Sequence, residues 1–325
     1  MNIGVYSPNW IGDAVMALPF LKELKGQYPN GEIKVFCKDW VAAIYKNNPS
    51  VNKIISVSDR KINGFFNSIN IGYQLKVQEF DLFFTLTDSA RSALILWMSG
   101  AKKRFGFNSQ MRSIFLTNSI IQPNPKIHRS KKYLTMLNNN IVSQPKIYIS
   151  EEEKEWASSE MGKYSFNLPI ALSPYSVSSV RNIPNNIIRK WLKNSNEQYI
   201  VFGSKSDIKK AEDLIKSCKN ISLKSFCGKY SLRQSMALIS LCKYTLATDS
   251  GLGHVSSALG IPTISFFGAG NPKVTGPIGD KNIIIKHCYP CMGDKCNNFE
   301  DEILCIKNIS KIDIDNNIKN IFLEV

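Results

Sequence analysis

The stretch SPNWIGDAVMALPFLKELKGQYPN, residues 7–30, decides how the chain begins to fold. It follows a short apolar segment, Ile3–Tyr6, that predicts a strand. Pro8 and Gly12 favour a turn, because proline fixes one backbone dihedral and glycine relaxes another. From Asp13 onward, apolar residues recur at helical spacing up to Leu24. The stretch therefore predicts a strand, a turn and a helix, with a carboxylate at the tip of the strand.

The position of Asp13 allows two interpretations. In an open α/β sheet, the loop after a strand faces the ligand crevice, so Asp13 is a candidate active-site residue. Aspartate is also a common helix N-cap, and a cap needs no substrate. Spacing alone leaves both interpretations open.

Apolar strands alternate with helical stretches in both halves of the 325-residue chain. This alternation predicts an α/β fold with parallel sheets covered by helices, and the length favours two domains. We expect the boundary near Asn167, giving domains 1–166 and 167–325. The predicted strands are Ile3–Tyr6, Ile33–Phe36, Ile54–Val57, Leu82–Leu86 and Ile147–Ile149, then Ile170–Ser173, Tyr199–Phe202, Leu223–Phe226, Tyr244–Ala247, Thr263–Phe267 and Ile283–Ile285.

Two long motifs carry a family resemblance. PNWIGDAVMALPFLKELK near the start and ATDSGLGHVSSALGIPTISFFGAGNP at residues 247–272 are similar to the signature blocks of the lipopolysaccharide heptosyltransferases, glycosyltransferase family 9. Within the family, WIGDAVMALP is closer to the enzymes that add the second core heptose. The resemblance implies the GT-B architecture, two Rossmann-like domains facing across a cleft. The N-terminal domain would bind the acceptor and the C-terminal domain the ADP-sugar donor.

The resemblance also implies the reaction. An inverting transfer would move heptose from ADP-L-glycero-D-manno-heptose to the lipopolysaccharide inner core, without a cofactor or an obligatory metal. The alternatives are another nucleotide-sugar glycosyltransferase of this fold, or a sugar- or nucleic-acid-binding protein without turnover. No GxGxxG fingerprint supports a nicotinamide enzyme, and no zinc-finger, helix-turn-helix or RNP signature supports nucleic acid as a partner.

Residues carried over from the family define a donor site in the second half. Asp249 would contact the heptose, and the backbone of Ser250 and Gly251 the diphosphate. Arg181 stands where the family has a lysine that neutralises donor phosphate, and Ile183 stands where the family has a tryptophan. The remaining donor-side candidates are Asp207 for the ribose, Tyr230 for the adenine and His254.

The catalytic and acceptor-side candidates lie in the first half. Asp13 would act as general base. Asn9 and Trp10 precede it in the same motif, Arg91 follows the predicted strand Leu82–Leu86, and His128 lies in the block HRSKKY, which resembles a further family block.

Positive charge is concentrated in the first half of the chain. Residues 1–150 hold 19 Lys and Arg against 8 Asp and Glu, which is +11 of the net charge of +15. Such a surface suits an anionic partner. We expect that partner to be the lipopolysaccharide core and the inner leaflet of the inner membrane, with the enzyme cytoplasmic and peripheral. The start of the chain lacks a signal-peptide pattern, and no apolar run is long enough to span a membrane.

The eight cysteines fall into two groups. Cys37, Cys218, Cys227 and Cys242 lie in or beside apolar stretches and are expected to be buried. Cys288, Cys291, Cys296 and Cys305 are spaced closely enough to form a tetrahedral thiolate site. A cysteine-rich loop of this kind also occurs in the family without requiring metal, so we expect no metal and retain zinc as the alternative.

Overall fold

Two compact units, Met1–Tyr148 and Ile149–Val325, make up the chain. The computed structural model describes residues 1–219, 221–287, 291, 295–298 and 300–323. The first unit contains β1 (Asn2–Tyr6), α1 (Ile11–Met16), α2 (Leu18–Gln27), β2 (Glu32–Lys38), α3 (Asp39–Tyr45), β3 (Lys53–Val57), α4 (Asp59–Ile62), α5 (Phe65–Gln74), β4 (Leu82–Thr85), α6 (Ala90–Met98), β5 (Lys103–Phe107), β6 (Asn118–Ile120) and α7 (Arg129–Leu134).

The second unit repeats the alternation. It contains α8 (Glu151–Gly162), β7 (Ile170–Ser173), α9 (Asn185–Leu192), β8 (Gln198–Val201), α10 (Ile208–Ser217), β9 (Ser222–Ser225), α11 (Leu232–Ile239), β10 (Thr245–Thr248), α12 (Gly251–Ala258), β11 (Thr263–Phe266), α13 (Pro272–Thr275), β12 (Asn282–Ile285), α14 (Leu304–Lys307) and α15 (Lys311–Leu323). Among the described residues, no helix is both long and apolar enough to cross a membrane.

The predicted α/β class with two Rossmann-like domains is confirmed, and most predicted strands are found within one or two residues of their expected ends. Two strands were missed. Three of the five residues of β5 are Lys103, Arg104 and Gly106, and β6 has only three residues. Neither strand therefore appears as an apolar run in the sequence. The predicted strand Ile147–Ile149 is wrong, because that segment is irregular and lies where the two units meet in the chain.

The division between the units falls earlier than residue 166 because α8 packs with the second unit. Its first turn is fixed by a capping box between Ser150 and Glu153. Glu153 accepts two hydrogen bonds from Arg233 on α11, at 2.8 and 2.6 Å. Ala157 and Met161 are buried in the same core cluster as strand β8.

Both sheets are six-stranded and parallel, and both have the same topology. The first sheet has the order β3-β2-β1-β4-β5-β6, and the second has the order β12-β11-β10-β7-β8-β9. Numbered within its own unit, each sheet is the Rossmann order 3-2-1-4-5-6. The chain therefore reverses its direction of travel across the sheet between β1 and β4, and again between β7 and β10. Ligands bind at such switch points, beyond the carboxyl ends of the strands.

A glycine sets the distance between two helices that cover the first sheet. Gly72 on α5 faces α6 so closely that a Cβ placed there would lie 2.4 Å from the Cβ of Met98 and 3.0 Å from the carbonyl oxygen of Ile95. These neighbours are close to the backbone and cannot rotate away. The two helices therefore pack at this distance only with glycine at position 72.

We predict that Gly72→Ala lowers the free energy of unfolding by about 1–3 kcal/mol, the usual cost of overpacking. The matched control is Gly26→Ala, because Gly26 lies in α2 and a Cβ added there would have no neighbouring atom within 4 Å. The control should raise stability by up to about 1 kcal/mol, since alanine is the better helix former. Urea titration of both variants, followed by circular dichroism, makes the comparison. Equal effects of the two substitutions would contradict the packing argument.

Candidate active site

Asp13 lies beyond the carboxyl end of β1, at the switch point of the first sheet. It is the third residue of α1, whose N-cap is Trp10. The interpretation of Asp13 as the N-cap is therefore wrong, because the turn is shorter than the sequence pattern suggested and the helix begins at Ile11. A carboxylate in the first turn is still favoured by the positive end of the helix.

Two buried tyrosines and one arginine surround Asp13. Arg129 Nε on α7 lies 3.9 Å from the Asp13 carboxylate, and both side chains remain partly exposed. Burial raises the pKa of Tyr133 well above its usual value, and the negative charge of Asp13 raises it further. Burial likewise raises the pKa of Tyr45, whose hydroxyl group is 2.6 Å from Ser7 Oγ. Both phenols therefore stay neutral, and Asp13 is the acidic group that faces Arg129.

Asn9 presents an unused acceptor next to this group. Its backbone oxygen accepts a hydrogen bond from Trp40 Nε1 at 2.7 Å, which fixes the turn before α1. Its side-chain oxygen is buried and, among the described residues, has no hydrogen-bond partner. A buried acceptor of this kind costs free energy unless a ligand satisfies it.

His128 and its neighbours lie at the start of α7. His128 is the N-cap, and its Nδ1 accepts a hydrogen bond from the backbone N–H of Ser130 at 3.2 Å. This bond places a proton on Nε2 when the ring is neutral. Ser130 is buried, and within the described ranges its hydroxyl group has no partner. Sequence reasoning singled out His128 and missed Arg129 and Ser130, although all three stand together in HRSKKY.

Arg91 and Trp10 are exposed at the same edge of the sheet. Arg91 is the second residue of α6, and its Nη1 lies 3.4 Å from Asn63 Oδ1. Trp10 leaves 62% of its surface exposed. The structure therefore brings Asn9, Trp10, Arg91 and His128 to the edge that carries Asp13, and acceptor binding stays a prediction for all four.

A fully buried arginine holds the loop after β4, on the other side of the switch point. Arg112 donates hydrogen bonds to the backbone oxygens of Phe107 and Thr87 at 2.8 and 2.5 Å. It also lies 3.6 Å from Asp88, which pairs with Lys132 of α7 at 2.7 Å. Because Lys132 and Arg129 share one helix, this network links the β4 loop to the surroundings of Asp13. Nothing in the local sequence distinguishes Arg112 from a surface arginine.

At the switch point of the second sheet, Arg181 and Asp249 form an ion pair. Arg181 follows β7 and Asp249 follows β10, and Arg181 Nη1 lies 3.4 Å from Asp249 Oδ2. Asp249 is buried, whereas Arg181 keeps a quarter of its side chain exposed. The hydroxyl group of Thr248 donates to the backbone oxygen of Arg181 and ties the two loops together.

Helix α12 begins directly beside this pair. Ser250 is its N-cap in extended conformation, and Gly251 is its first residue. The Ser250 hydroxyl group is buried and finds no hydrogen-bond partner in the part of the chain that the structure describes. His254 lies in the first turn and a half and is buried. An unpaired hydroxyl group at a helix N-terminus is a suitable place for an anion.

Sequence reasoning missed two further loops near Asp249, one that touches its carboxylate and one that holds the first in place. A Cβ at Gly270 would lie only 2.2 Å from Asp249 Oδ2, so the loop after β11 touches the carboxylate with its backbone. Lys286, just after β12, donates to the backbone oxygens of Gly268 and Gly270 at 3.2 and 2.6 Å. The loops after β7, β10 and β11 thus converge on Asp249, and Lys286 holds the β11 loop from the loop after β12.

Asp207 and Tyr230 lie on the loops after β8 and β9, at the same edge. Asp207 completes a capping box, accepting from the backbone N–H and the hydroxyl group of Ser204 at 3.0 and 2.6 Å. Tyr230 donates to Glu160, and burial together with this bond raises its pKa. Both residues are used by the fold itself, and a contact with ligand remains a prediction for each.

The cysteines lie mostly away from these groups. Cys37, Cys218, Cys227 and Cys242 are buried, as predicted. Cys305 is buried in the core of the second unit, and Cys291 and Cys296 are partly exposed. Cys288 lies outside the described residues. Among those that are described, no group of three or more His, Cys, Asp or Glu side chains is placed to hold a metal ion.

Two Rossmann-like domains, each with polar residues at the switch point of its sheet, are the architecture of the GT-B glycosyltransferases. Residues 69–300 match glycosyltransferase family 9 (heptosyltransferase), and the chain belongs to this family. The predicted family and enzyme class are confirmed.

The chain is similar in sequence to curated heptosyltransferases over most of its length, and its fold matches solved structures. Lipopolysaccharide heptosyltransferase 2 of Salmonella typhimurium is 25% identical, with 88% of each chain covered. The solved structure of Escherichia coli ADP-heptose LPS heptosyltransferase II superimposes with a TM-score of 0.84 at 21% identity, covering 100% of this chain and 99% of the other. A family 9 glycosyltransferase from Veillonella parvula gives a TM-score of 0.89 at 18% identity, covering 100% and 98%.

We predict that Arg112→Met lowers the free energy of unfolding of the first unit by about 2–4 kcal/mol, because it leaves the carbonyl oxygens of Phe107 and Thr87 without their donor and removes the cation that faces Asp88. The matched control is Arg60→Met, since Arg60 is an exposed arginine of the same unit. The control should change stability by no more than about 0.5 kcal/mol. Thermal unfolding of the two variants tests this. A tolerated Arg112→Met would show that the network does not hold the loop.

Proposed function

We propose that the protein transfers heptose from ADP-L-glycero-D-manno-heptose to the inner core of lipopolysaccharide, adding the second heptose, with inversion at the anomeric carbon. The observation that supports this most directly is the group of residues at the second switch point. Arg181, the buried hydroxyl group of Ser250 and the N-terminus of α12 lie together beside the Asp249 carboxylate. Cation and helix N-terminus suit a diphosphate, and a carboxylate suits sugar hydroxyl groups.

The charged side chains of the proposed donor site, Arg181 and Asp249, are largely shielded from solvent. Arg181 Nη1 lies 3.4 Å from Asp249 Oδ2, which is longer than an ideal charge-assisted hydrogen bond. An incoming diphosphate would take up the guanidinium group and leave Asp249 to accept hydrogen bonds from the heptose. Asp207 and Tyr230 belong to the proposed site as contacts for ribose and adenine, at the neighbouring loops, and His254 completes it.

The acceptor-binding residues lie in the first domain. Asn9 offers its unused side-chain oxygen and Ser130 its unused hydroxyl group, both suited to sugar hydroxyl groups. The anionic core would meet the guanidinium groups of Arg91 and Arg129 and an N–H of the His128 ring. Trp10 offers an exposed ring that can cover a sugar face.

Asp13 performs the chemical step in this proposal. The acceptor hydroxyl oxygen forms a bond to the anomeric carbon of heptose as the bond to the phosphate oxygen breaks and ADP leaves. The proton of the hydroxyl group passes to the Asp13 carboxylate. The Asp13 carboxylate lies in the first turn of α1, 3.9 Å from Arg129 Nε, where the positive end of the helix and the guanidinium group favour its charged form. Arg181 and the N-terminus of α12 would stabilise the negative charge that develops on the leaving diphosphate.

The proposed location follows from the acceptor. A lipopolysaccharide core precursor is held in the inner leaflet by its lipid, so the enzyme would act in the cytoplasm while touching the inner membrane. The net charge of +11 in residues 1–150 favours an anionic surface.

We predict that Arg181→Ala weakens the binding of ADP and ADP-heptose by about 1.5–3 kcal/mol, the scale of a charge-assisted hydrogen bond. Arg181→Lys is the matched control, because it keeps the charge and should recover most of the affinity. Titration calorimetry measures both. Unchanged affinity of a folded Arg181→Ala protein would remove Arg181 from the donor site.

We predict that Asp13→Asn lowers turnover by about 10²–10⁴-fold, the usual contribution of a positioned general base, while ADP binding stays near normal. Stability should fall by no more than about 1 kcal/mol, the value of a first-turn charge at a helix dipole. Transfer from ADP-heptose to core oligosaccharides truncated before and after the first heptose, read by mass spectrometry, measures turnover and acceptor choice.

The control for this substitution is Asp39→Asn, because Asp39 is also an acidic residue in the first turn of a helix of the same domain. It should keep activity within a few-fold. If folded Asp13→Asn also stays within a few-fold of the parent, Asp13 is not the base. If neither enzyme form consumes ADP-heptose with any core acceptor, the proposed reaction itself is wrong.

A further inference from the structure

Five large apolar side chains project into solvent at the edge of the first sheet that carries Asp13. We name them the exposed rim: Trp10, Trp40, Phe65, Phe66 and Met111, with 62%, 42%, 59%, 82% and 90% of their surfaces exposed. Side chains this exposed do not line a pocket, and they contribute little to the core. Several large apolar side chains that are this exposed along one edge of a folded domain indicate a surface that binds a partner or a membrane.

Hydrogen bonds connect the first part of the exposed rim. Trp40 donates to the backbone oxygen of Asn9, which places the ring of Trp40 beside the turn that carries Trp10. Lys38 lies 4.7 Å from the centre of the Trp40 ring and pairs with Asp59 at 2.7 Å. The rim therefore runs from the β1 turn through the end of β2 to the start of α4.

Further contacts extend it to the last members. Asn67, near the start of α5, donates a hydrogen bond to the backbone oxygen of Asn63 at 2.6 Å. This bond connects the turn after α4 to α5. The rings of Phe65 and Phe66 lie in this segment, 5.8 Å apart. Asn63 accepts from Arg91 at the start of α6. The next residue N-terminal to Arg91, Ala90, donates its N–H to Gln110, the neighbour of Met111.

The charge along the exposed rim is positive. Arg60, Lys61 and Arg91 are exposed between the apolar members. Asp59 pairs with Lys38, and Asp88 pairs with Lys132 and Arg112. Asp39, next to Trp40 in the chain, is exposed, but Arg60, Lys61 and Arg91 outnumber it, so the rim keeps a positive balance. Exposed aromatic and aliphatic side chains interspersed with arginine and lysine are the composition of surfaces that enter the headgroup region of an anionic bilayer.

We propose that the exposed rim docks the first domain on the surface of an anionic phospholipid bilayer. This deepens the proposed function, because it names the surface that would hold the enzyme at the membrane containing its acceptor. The rings of Trp40, Phe65 and Phe66 would enter the headgroup boundary while Arg60 and Lys61 meet lipid phosphates, and Trp10, at the end of the rim nearest Asp13, would contact the acceptor sugar. The rim shares its sheet edge with Asp13, so docking would bring the base close to sugars that rise from the bilayer.

The 3-10 turn that directly follows α5, Leu75–Gln78, provides a matched control at the opposite edge of the sheet. Val77 follows α5 and is 77% exposed, close to the 82% of Phe66. Glu79, two residues further on, accepts through its backbone oxygen from the side chain of Asn2, at the amino end of β1. Val77 and Phe66 are therefore equally exposed apolar residues at opposite ends of one helical segment. Only Phe66 belongs to the exposed rim.

The test is sedimentation of the full chain with vesicles of phosphatidylglycerol and phosphatidylcholine, and of phosphatidylcholine alone. Phe66→Ser should lower partition to the anionic vesicles by about tenfold, the loss expected for one inserted ring. Val77→Ser should change it by less than about twofold. Lys61→Gln should also lower it, and added salt should weaken binding of the parent protein. Equal losses for Phe66→Ser and Val77→Ser, or no preference for anionic vesicles, would overturn the proposal.

A second measurement separates this proposal from the proposed reaction. Transfer to a lipid-free core oligosaccharide should be the same for Phe66→Ser and the parent within about twofold, because no bilayer is present. Loss of that turnover would show that Phe66 holds the sugar acceptor, and would overturn docking as its role. Vesicle binding is measured without turnover, so inactivity of the parent protein would refute the reaction and leave the docking result intact.

Discussion

The parallel pairing of the first and fourth strands of each unit is the constraint on which both candidate sites depend. Tyr6 pairs with Thr85 across β1 and β4, and Ala247 pairs with Ser173 across β10 and β7. Their connections leave the sheet in opposite directions, so no crossover covers the carboxyl ends of these two strands. Each pair of loops is thereby free to carry polar residues instead of core. Asp13 and the Arg181–Asp249 pair occupy these positions in the two sheets.

Both loops at each switch point must be held in place, and the two units do this with different chemistry. In the first unit, the buried guanidinium group of Arg112 binds backbone oxygens of the β4 loop and faces Asp88. In the second, the loops meet at Asp249, which receives Arg181 from one side and the backbone of Gly270 from another. A buried charge of this kind is costly without its partner, so removal of either partner should disturb more than one loop.

The fold was largely predictable because the central strands are apolar and each is followed by a helix of regular period. The prediction failed where burial could not be read from composition. β5 was missed because Lys103 and Arg104 stand in it, yet Arg104 turns back to donate to the backbone oxygens of Ala101 and Phe115. Asp249 was singled out because it follows a strand directly, and Asp13 and Arg181 because they lie in stretches that resemble blocks of the family. Arg112, Arg129 and Lys286 were missed, since their roles arise from contacts between segments far apart in the chain.

Helix α1 begins three residues earlier than the sequence pattern suggested, and this changes the role of Asp13. An N-cap aspartate accepts hydrogen bonds from the helix it begins, so its oxygens are engaged by the fold. The N-cap here is Trp10, whose side chain makes no capping bond, and the carboxylate of Asp13 faces the guanidinium group of Arg129 on another helix. Asparagine could replace a cap at little cost, but it could not pair with that cation or accept a proton as a carboxylate does. The same residue type, moved from the cap into the first turn, is therefore better explained by charge than by helix initiation.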